Sequence, residues 1–164
     1  MGKIELRYQR VSDAKRFFEI LNNPRFFYFD VKPKSVEDEI VWLKKNPEKR
    51  KNHLEYNFSI LYNGKLVGGC GIKIDQHRKY IGEVGYFLDE KYWNKGIMTK
   101  AVRLLEKLGF DALKLTRIEI LMHPKNIGSE RVAIKCGYKK EGTMRKVIKL
   151  KDKICDCRLY AKVA

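Results

Sequence analysis

The chain of 164 residues has no apolar run approaching the roughly 18 residues that a membrane span requires. Its first residues, Met1-Gly2-Lys3-Ile4-Glu5-Leu6, lack the apolar stretch of a signal peptide. Leu6 also stands where an N-myristoylation pattern wants Ser or Thr. These absences predict a soluble, cytoplasmic protein that does not engage a membrane. Signatures of metal and hydrolytic chemistry are missing as well. His53, His77 and His123 are scattered without HxxxH or HExxH spacing, and no GxSxG stretch marks a nucleophilic serine. The four cysteines, Cys70, Cys136, Cys155 and Cys157, include no CxxC pair, and the last two are too close for an ordinary disulfide. No metal site is expected. Neither GxxxxGK[ST] nor GxGxxG is present, which excludes a P-loop and a dinucleotide fingerprint. No repeat, low-complexity tract or Pro/Ser-rich linker divides the chain, so residues 1–164 are expected to form one domain. Glutamine is scarce, only Gln9 and Gln76, while charged residues make up 34%, a thermophile-like composition.

Thermophily alone raises both signs of charge together, whereas here 36 Lys and Arg face 20 Asp and Glu, a net charge of +16. Such a surface gathers anions, which suits either a nucleotide-phosphate ligand or contact with the ribosome or RNA.

Hydrophobic periodicity outlines the order β-α-α-β-β-β-α-β-α-β-β, an α/β fold with a mixed sheet. Ile4 to Tyr8 reads as a strand, Ser12-Asp13 as a helix cap before Phe17, Ile20 and Leu21, and Ser35 as the cap of a second helix with Glu37, Asp38 and Glu39 in its first turn. Between them Phe26-Phe27-Tyr28-Phe29 either packs as core or lid, or lines a groove. Tyr56 to Tyr62 and Leu66 to Ile74 flank Asn63-Gly64, the favoured two-residue hairpin turn, and Tyr80 to Leu88 forms a third strand. Ile97, Ala101, Leu104, Leu105, Leu108 and Ala112 then share one face of a long helix. Arg117 to Met122 is an apolar strand, and Asn126 to Cys136 a short helix stopped by Gly137. Strands at Tyr138 to about Lys140 and Ile154 to Val163 finish the chain, joined by a basic connection.

Gly96 sits where strand hands over to the long helix. Free N–H groups at a helix start, with the positive end of its dipole, hold anions, so a phosphate belongs here. Lys95 adds a mobile charge and Thr99 a hydroxyl.

Read together, four stretches resemble the GNAT superfamily, and within it the Rim-type protein N-acetyltransferases. They are Gly82-Glu83-Val84-Gly85-Tyr86-Phe87-Leu88-Asp89, Tyr92-Trp93-Asn94-Lys95-Gly96-Ile97-Met98-Thr99, Asn126-Ile127-Gly128-Ser129-Glu130-Arg131, and Lys135-Cys136-Gly137-Tyr138 followed by Glu141-Gly142. The likeness runs from about Leu6 to Tyr160. It implies a GNAT-like single domain whose mixed, mostly antiparallel sheet splays to admit acetyl-CoA between flanking helices. It also implies that Phe87 and Leu88 anchor the pantetheine arm, that Gly85 makes the bulge behind the splay, and that the pyrophosphate lies on the amides of Asn94, Lys95, Gly96, Ile97, Met98 and Thr99. Met98 departs from the family pattern, placing a long side chain where a small one is usual and implying a shifted phosphate pose. Asn126, Ser129 and Lys135 would face the cofactor, although Asn126 and Ser129 equally serve the helix start and Lys135 its dipole.

Acetyl transfer to nitrogen needs a neutral amine. At pH 7 an α-amine of pKa about 8 is roughly one-tenth neutral, against about 1 in 2,500 for lysine. Glu83 matches a catalytic base of some family members; otherwise it is a cross-strand partner for a lysine. Many relatives carry a tyrosine as general acid where Ala133 stands here, so no acid is assigned. The resemblance implies acetyl-CoA as co-substrate and a primary amine as acceptor, foremost a protein N-terminus such as that of a ribosomal protein. A small amine such as a polyamine or antibiotic, or a non-catalytic RNA- or ribosome-binding module on the same fold, are the alternatives. A monomer or a homodimer is expected. Acceptor specificity is expected in the Phe26–Lys34, Asp75–Lys79 and Gly142–Lys153 segments.

Overall fold

The computed structural model describes residues 1–29 and 32–164. Its strands are β1 (Ile4–Tyr8), β2 (Glu55–Tyr62), β3 (Lys65–Ile74), β4 (Ile81–Leu88), β5 (Arg117–Met122), β6 (Lys139–Leu150) and β7 (Lys153–Val163). The helices are α1 (Ala14–Leu21), α2 (Val36–Lys44), α3 (Asn46–Lys51), α4 (Ile97–Lys107) and α5 (Ile127–Lys135). The strands form one seven-stranded sheet in the order β1-β2-β3-β4-β5-β7-β6. Every pairing is antiparallel except β4 with β5. This is the mixed, mostly antiparallel α/β sheet expected.

Local chemistry accounts for the turns and caps. Asn63 and Gly64 both have positive φ, 49° and 77°, the hairpin conformation whose twist matches the flanking strands. Ser35 Oγ accepts from the Asp38 amide at 3.1 Å and starts α2. Asp13 does not cap α1 in that way. Its carboxylate reaches back to the Arg10 amide at 2.9 Å, takes both guanidinium nitrogens of Arg7 and accepts from Ser59 Oγ at 2.7 Å. The first helix is thereby pinned to β1 and β2.

The main core lies between the sheet and α4, where Ile97, Ala101, Val102 and Leu105 meet Ile60, Ile72, Val84, Ile118 and Ile120. A second cluster on the opposite face packs Ala14, Phe17 and Leu43 against Leu66 and Phe87. Ala112 was expected on the buried face of the long helix but is exposed. The chain widens into a π turn at Leu108–Ala112, which rotates that face away from the core.

Three further expectations are corrected. Asn46–Lys51 is a helix, α3, started by Pro47 in its first turn; it has no apolar stripe to reveal it. The basic connection after Lys140 is strand, since β6 continues to Leu150 against β7. Gly85 makes no bulge: it pairs in regular register with Gly71. The sheet opens elsewhere. β4 and β5 are joined only at Ile81–Arg117, Gly82–Ile118 and Glu83–Glu119, and the strands part beyond those pairs.

Candidate active site

The opening between β4 and β5 organises the site. The Asp89 amide donates to the Val67 carbonyl at 2.8 Å, so backbone alternation along β4 turns Phe87, Gly85 and Glu83 toward β3. Val84, Tyr86 and Leu88 therefore present their backbone groups to the wedge. Phe87 is corrected as a backbone anchor on this ground, because its main chain is committed to Gly69 of β3. Its ring lines the cavity instead. The Leu88 carbonyl accepts from Trp93 Nε1 at 2.7 Å, which folds the turn after β4 back over the strand end. Asp89, itself buried, caps that turn through the Lys91 amide at 3.1 Å and pairs with Arg16 of α1.

The wedge leads into a cavity of about 760 Å³, which holds ten of the expected side chains or turns: Phe87, Leu88, Asn94, Gly96, Ile97, Met98, Thr99, Asn126, Ser129 and Lys135. Lys95 and Glu83 do not line it. Asn94 and Gly96 adopt positive φ, 59° and 75°, and no side chain caps α4, so its first amides remain directed outward. Lys95 lies with its ammonium 5.3 Å from the Tyr92 ring centre. Met98 is only 7% exposed and packs into the main core while bordering the cavity. The cavity wall carries Arg25, Lys125, Arg131 and Lys135 and no carboxylate. Part of the +16 excess is thus gathered where a polyphosphate would lie.

Helix α5 supplies the far wall. Asn126 Oδ1 accepts from the Ser129 amide at 3.2 Å, which is the cap role read from sequence, and the residue lines the cavity as well. Ser129 Oγ is 2.7 Å from the Tyr86 hydroxyl. Sequence reasoning missed Tyr86; the sign was a tyrosine on the strand side that faces α5. Ala133 is fully buried, leaving no room for a tyrosine there, whereas Tyr86 and Ser129 both line the cavity. Glu130 holds α5 to β7 through Arg158 at 2.8 Å and the Tyr160 hydroxyl at 2.6 Å. The aromatic run resolves as a roof over this space. Phe26 packs edge-on to Trp93, Phe29 to Phe87, and Tyr28 stacks on His123 across the opening. Asp30 and Val31 of the same connection lie outside the described residues.

Glu83 occupies the last rung before the strands part, on the sheet face opposite α4 and α5. Its side chain is solvent-accessible yet hemmed by neighbours. Desolvation pushes its carboxyl above the usual range, Lys73 pulls back, and Glu119 on the adjacent strand pushes it further up. Beside it a β-carbon on Gly85 would meet nothing within 4 Å, so this face is open at the apex. Among the described residues no group of three or more His, Cys, Asp or Glu could hold a metal ion, and no helix is long and apolar enough to cross a membrane.

A sheet pried apart beside an uncapped, basic helix start is the architecture of a CoA-dependent transferase. Residues 3–139 match the family described as the acetyltransferase (GNAT) domain, and the chain belongs to that family. A probable N-acetyltransferase of Bacillus subtilis (strain 168), YjcK, is 38% identical over 119 residues, covering 71% of this chain and 66% of that protein. The ribosomal-protein-serine acetyltransferase of Escherichia coli (strain K12) is 26% identical over 157 residues, covering 95% and 84%. The microcin C7 self-immunity acetyltransferase MccE, solved with acetyl-CoA and AMP, shares the fold at a TM-score of 0.88 and 22% identity, covering 99% of this chain and 93% of that one. The chain spans 66%, 60% and 55% of the length of the first three curated relatives it matches. GNAT acetyltransferases use acetyl-CoA, and the residues around the wedge fit it: backbone groups for an arm, free amides and four cations for phosphates.

Proposed function

We propose that the protein is an N-acetyltransferase moving the acetyl group of acetyl-CoA to a primary amine, namely the N-terminal α-amine of a protein, with a ribosomal protein as the candidate acceptor. The observation that carries this reading is the placement of Glu83: an accessible carboxylate of raised proton affinity at the rung where β4 and β5 part, outside the lining of the cofactor cavity. A single such base is adequate for an α-amine, already about one-tenth neutral at pH 7, and less so for lysine. The likeness to the ribosomal-protein-serine acetyltransferase supports the acceptor class.

In this reading the backbone of Tyr86 and Leu88 aligns the pantetheine arm, and the amides from Asn94 to Thr99 hold the pyrophosphate with Lys95 nearby. Asn126, Ser129 and Lys135 flank the arm from α5. Glu83, directly or through a water, takes the proton that the ammonium must lose before the neutral amine attacks, and the second N–H proton, shed by the tetrahedral adduct, passes through solvent to the departing sulfur. The thiolate of CoA leaves with a pKa near 8.5 and needs little protonation, so a hydrogen bond from the Tyr86–Ser129 pair suffices. Positioning supplies much of the rate.

Thiol release from acetyl-CoA, measured against N-terminal peptides, ε-amine peptides, polyamines and aminoglycosides, tests the proposal. Turnover confined to free N-termini is expected. Turnover confined to small amines would overturn the acceptor assignment, and the lack of any acetyl-CoA-dependent thermal shift would overturn the whole reading.

A further inference from the structure

The β6–β7 hairpin is the least explained part of the molecule. β5 pairs with β7 only from Arg117–Val163 to Met122–Arg158, so Lys153–Cys157 and their β6 partners Met144–Leu150 extend beyond the rest of the sheet as a two-stranded ribbon. β6 is the last strand of the sheet, and on either side of its irregularity between Met144 and Ile148 its outer edge carries main-chain donors and acceptors with no strand beside them among the described residues. Between residues 139 and 153 the sequence holds seven Lys and Arg and two acids. One of those acids, Glu141, is taken by Arg117.

Register sorts this ribbon into two kinds of surface. Ala161 pairs with Glu119, so the odd-numbered side chains of β7 share the face on which Glu83 and Glu119 stand. Their β6 partners on that face are Met144, opposite Cys157, and Ile148, opposite Cys155. Met144, Ile148 and Leu159 make a partly exposed apolar stripe that runs outward from the apex, while Cys157 between them is fully buried. Beyond the stripe the tip is cationic, with Lys149, Lys151 and Lys153 all exposed.

Resting on the N-terminal acceptor reading above, we propose that the ribbon forms a docking surface for an acidic, extended segment of the acceptor polypeptide, lying just downstream of the amine that is acetylated. The segment runs along the apolar stripe from the apex, offers its backbone to the β6 edge, and sets its carboxylates against the lysines of the tip. An unpaired strand edge beside an apolar stripe suits a polypeptide better than a phosphate backbone, which has no use for either. The negative floor at Glu83 and the positive rim then orient one chain: ammonium inward, carboxylates outward.

The experiment compares two short peptides with a free N-terminal serine, one continuing in glutamates and one in glycine and serine, using wild type and a triple variant, Lys149→Glu, Lys151→Glu and Lys153→Glu. The acidic peptide is expected to show a KM lower by about tenfold or more, and the triple variant to remove that advantage with little change in kcat. The acetyl-CoA-dependent thermal shift reports whether the variant is folded. Equal KM for both peptides in the wild type would overturn the docking proposal while leaving the proposed function standing. Binding is read separately, by fluorescence anisotropy of the same acidic peptide with its N-terminus already acetylated. If neither peptide turns over but the blocked acidic peptide binds and the variant releases it, the docking surface stands and the acceptor reading falls. A labelled RNA oligonucleotide is the third arm: RNA retained through the lysines, with no binding of the acidic peptide, would assign the surface to nucleic acid and overturn the proposal.

Discussion

Replacing Glu83 with Gln isolates the charge at the apex from its shape. Glu83 lies outside the cofactor cavity, so Glu83→Gln is expected to bind acetyl-CoA as the wild type does. General bases contribute about 10²–10⁴ in rate, and the accessible setting of Glu83 places the expected loss in kcat/KM at pH 7 near the lower end, about 10². The pH dependence of that loss is the sharper test. Between pH 7 and 9 the neutral fraction of an α-amine of pKa about 8 rises about tenfold and then saturates, while that of a lysine side chain rises about a hundredfold without saturating. The variant on an N-terminal peptide is therefore expected to recover about tenfold across that range and then level off. Stability moves in the other direction. The folded state raises the proton affinity of Glu83, so its contribution favours folding below the unfolded pKa and declines as pH rises through the folded one. At neutral pH Glu83→Gln removes an ionised group that burial and Glu119 disfavour, and it is expected to melt at or above the wild-type temperature. The assays are steady-state thiol release from pH 6 to 9.5 and a melting curve at each pH. Full activity of the variant at pH 7, or a fall in acetyl-CoA affinity matching the fall in rate, would refute the base assignment.

Gly96→Ala meets no obstruction, the nearest atom being 3.7 Å from the added carbon, but φ of 75° costs a β-carbon about 1–2 kcal/mol. A melting temperature lower by about 2–8 °C is expected, with weaker acetyl-CoA binding by titration calorimetry as the turn relaxes. Gly85→Val enters open space on a strand, so fold and acetyl-CoA affinity are expected to persist, while KM for the amine rises by about tenfold or more. Asp13→Ala strands Arg7 and Ser59 and is expected to cost about 3–5 kcal/mol in urea unfolding. Burial alone pushes the Asp13 carboxyl up, but the hydrogen bonds from Arg7, Ser59 and the Arg10 amide hold it below the usual range. Its contribution is therefore present above the unfolded pKa and lost as pH falls through the folded one, so wild type and variant should converge in acid.

What could be read in advance followed from how local the cause was. Asn63-Gly64, the Ser35 cap and Gly137 at φ 83° each rest on the conformational preferences of a few neighbouring residues. The turn from Asn94 to Thr99 was legible for the same reason. Helix α3 escaped because Asn-Pro-Glu-Lys-Arg-Lys has no apolar period; it is held from outside, by Asn46 hydrogen-bonded to Gln9 and Asn57, and by Lys49 to Glu55. The length of β6 escaped because β7, not its own alternation, makes it a strand. The origin of the splay was placed at Gly85, whereas it lies in the early end of the β4–β5 pairing, a property of two strands that no single residue announces. Tyr86 with Ser129, and Arg7 with Asp13 and Ser59, join residues far apart in the chain, and their meeting is a product of the fold.

The brief pairing of β4 with β5 has a mechanical side. The sheet consists of two leaves, β1 to β4 and β5-β7-β6, stitched to each other at three rungs next to Glu83. Every other seam between neighbouring strands is longer. In the proposed binding mode a donor arm laid against the main chain of Tyr86 and Leu88 would fill the gap as an eighth, borrowed strand, and occupancy of the site would splint the two leaves at the seam least able to hold by itself. Amide exchange along the second half of β4 would register that splint directly, as protection gained far from any phosphate.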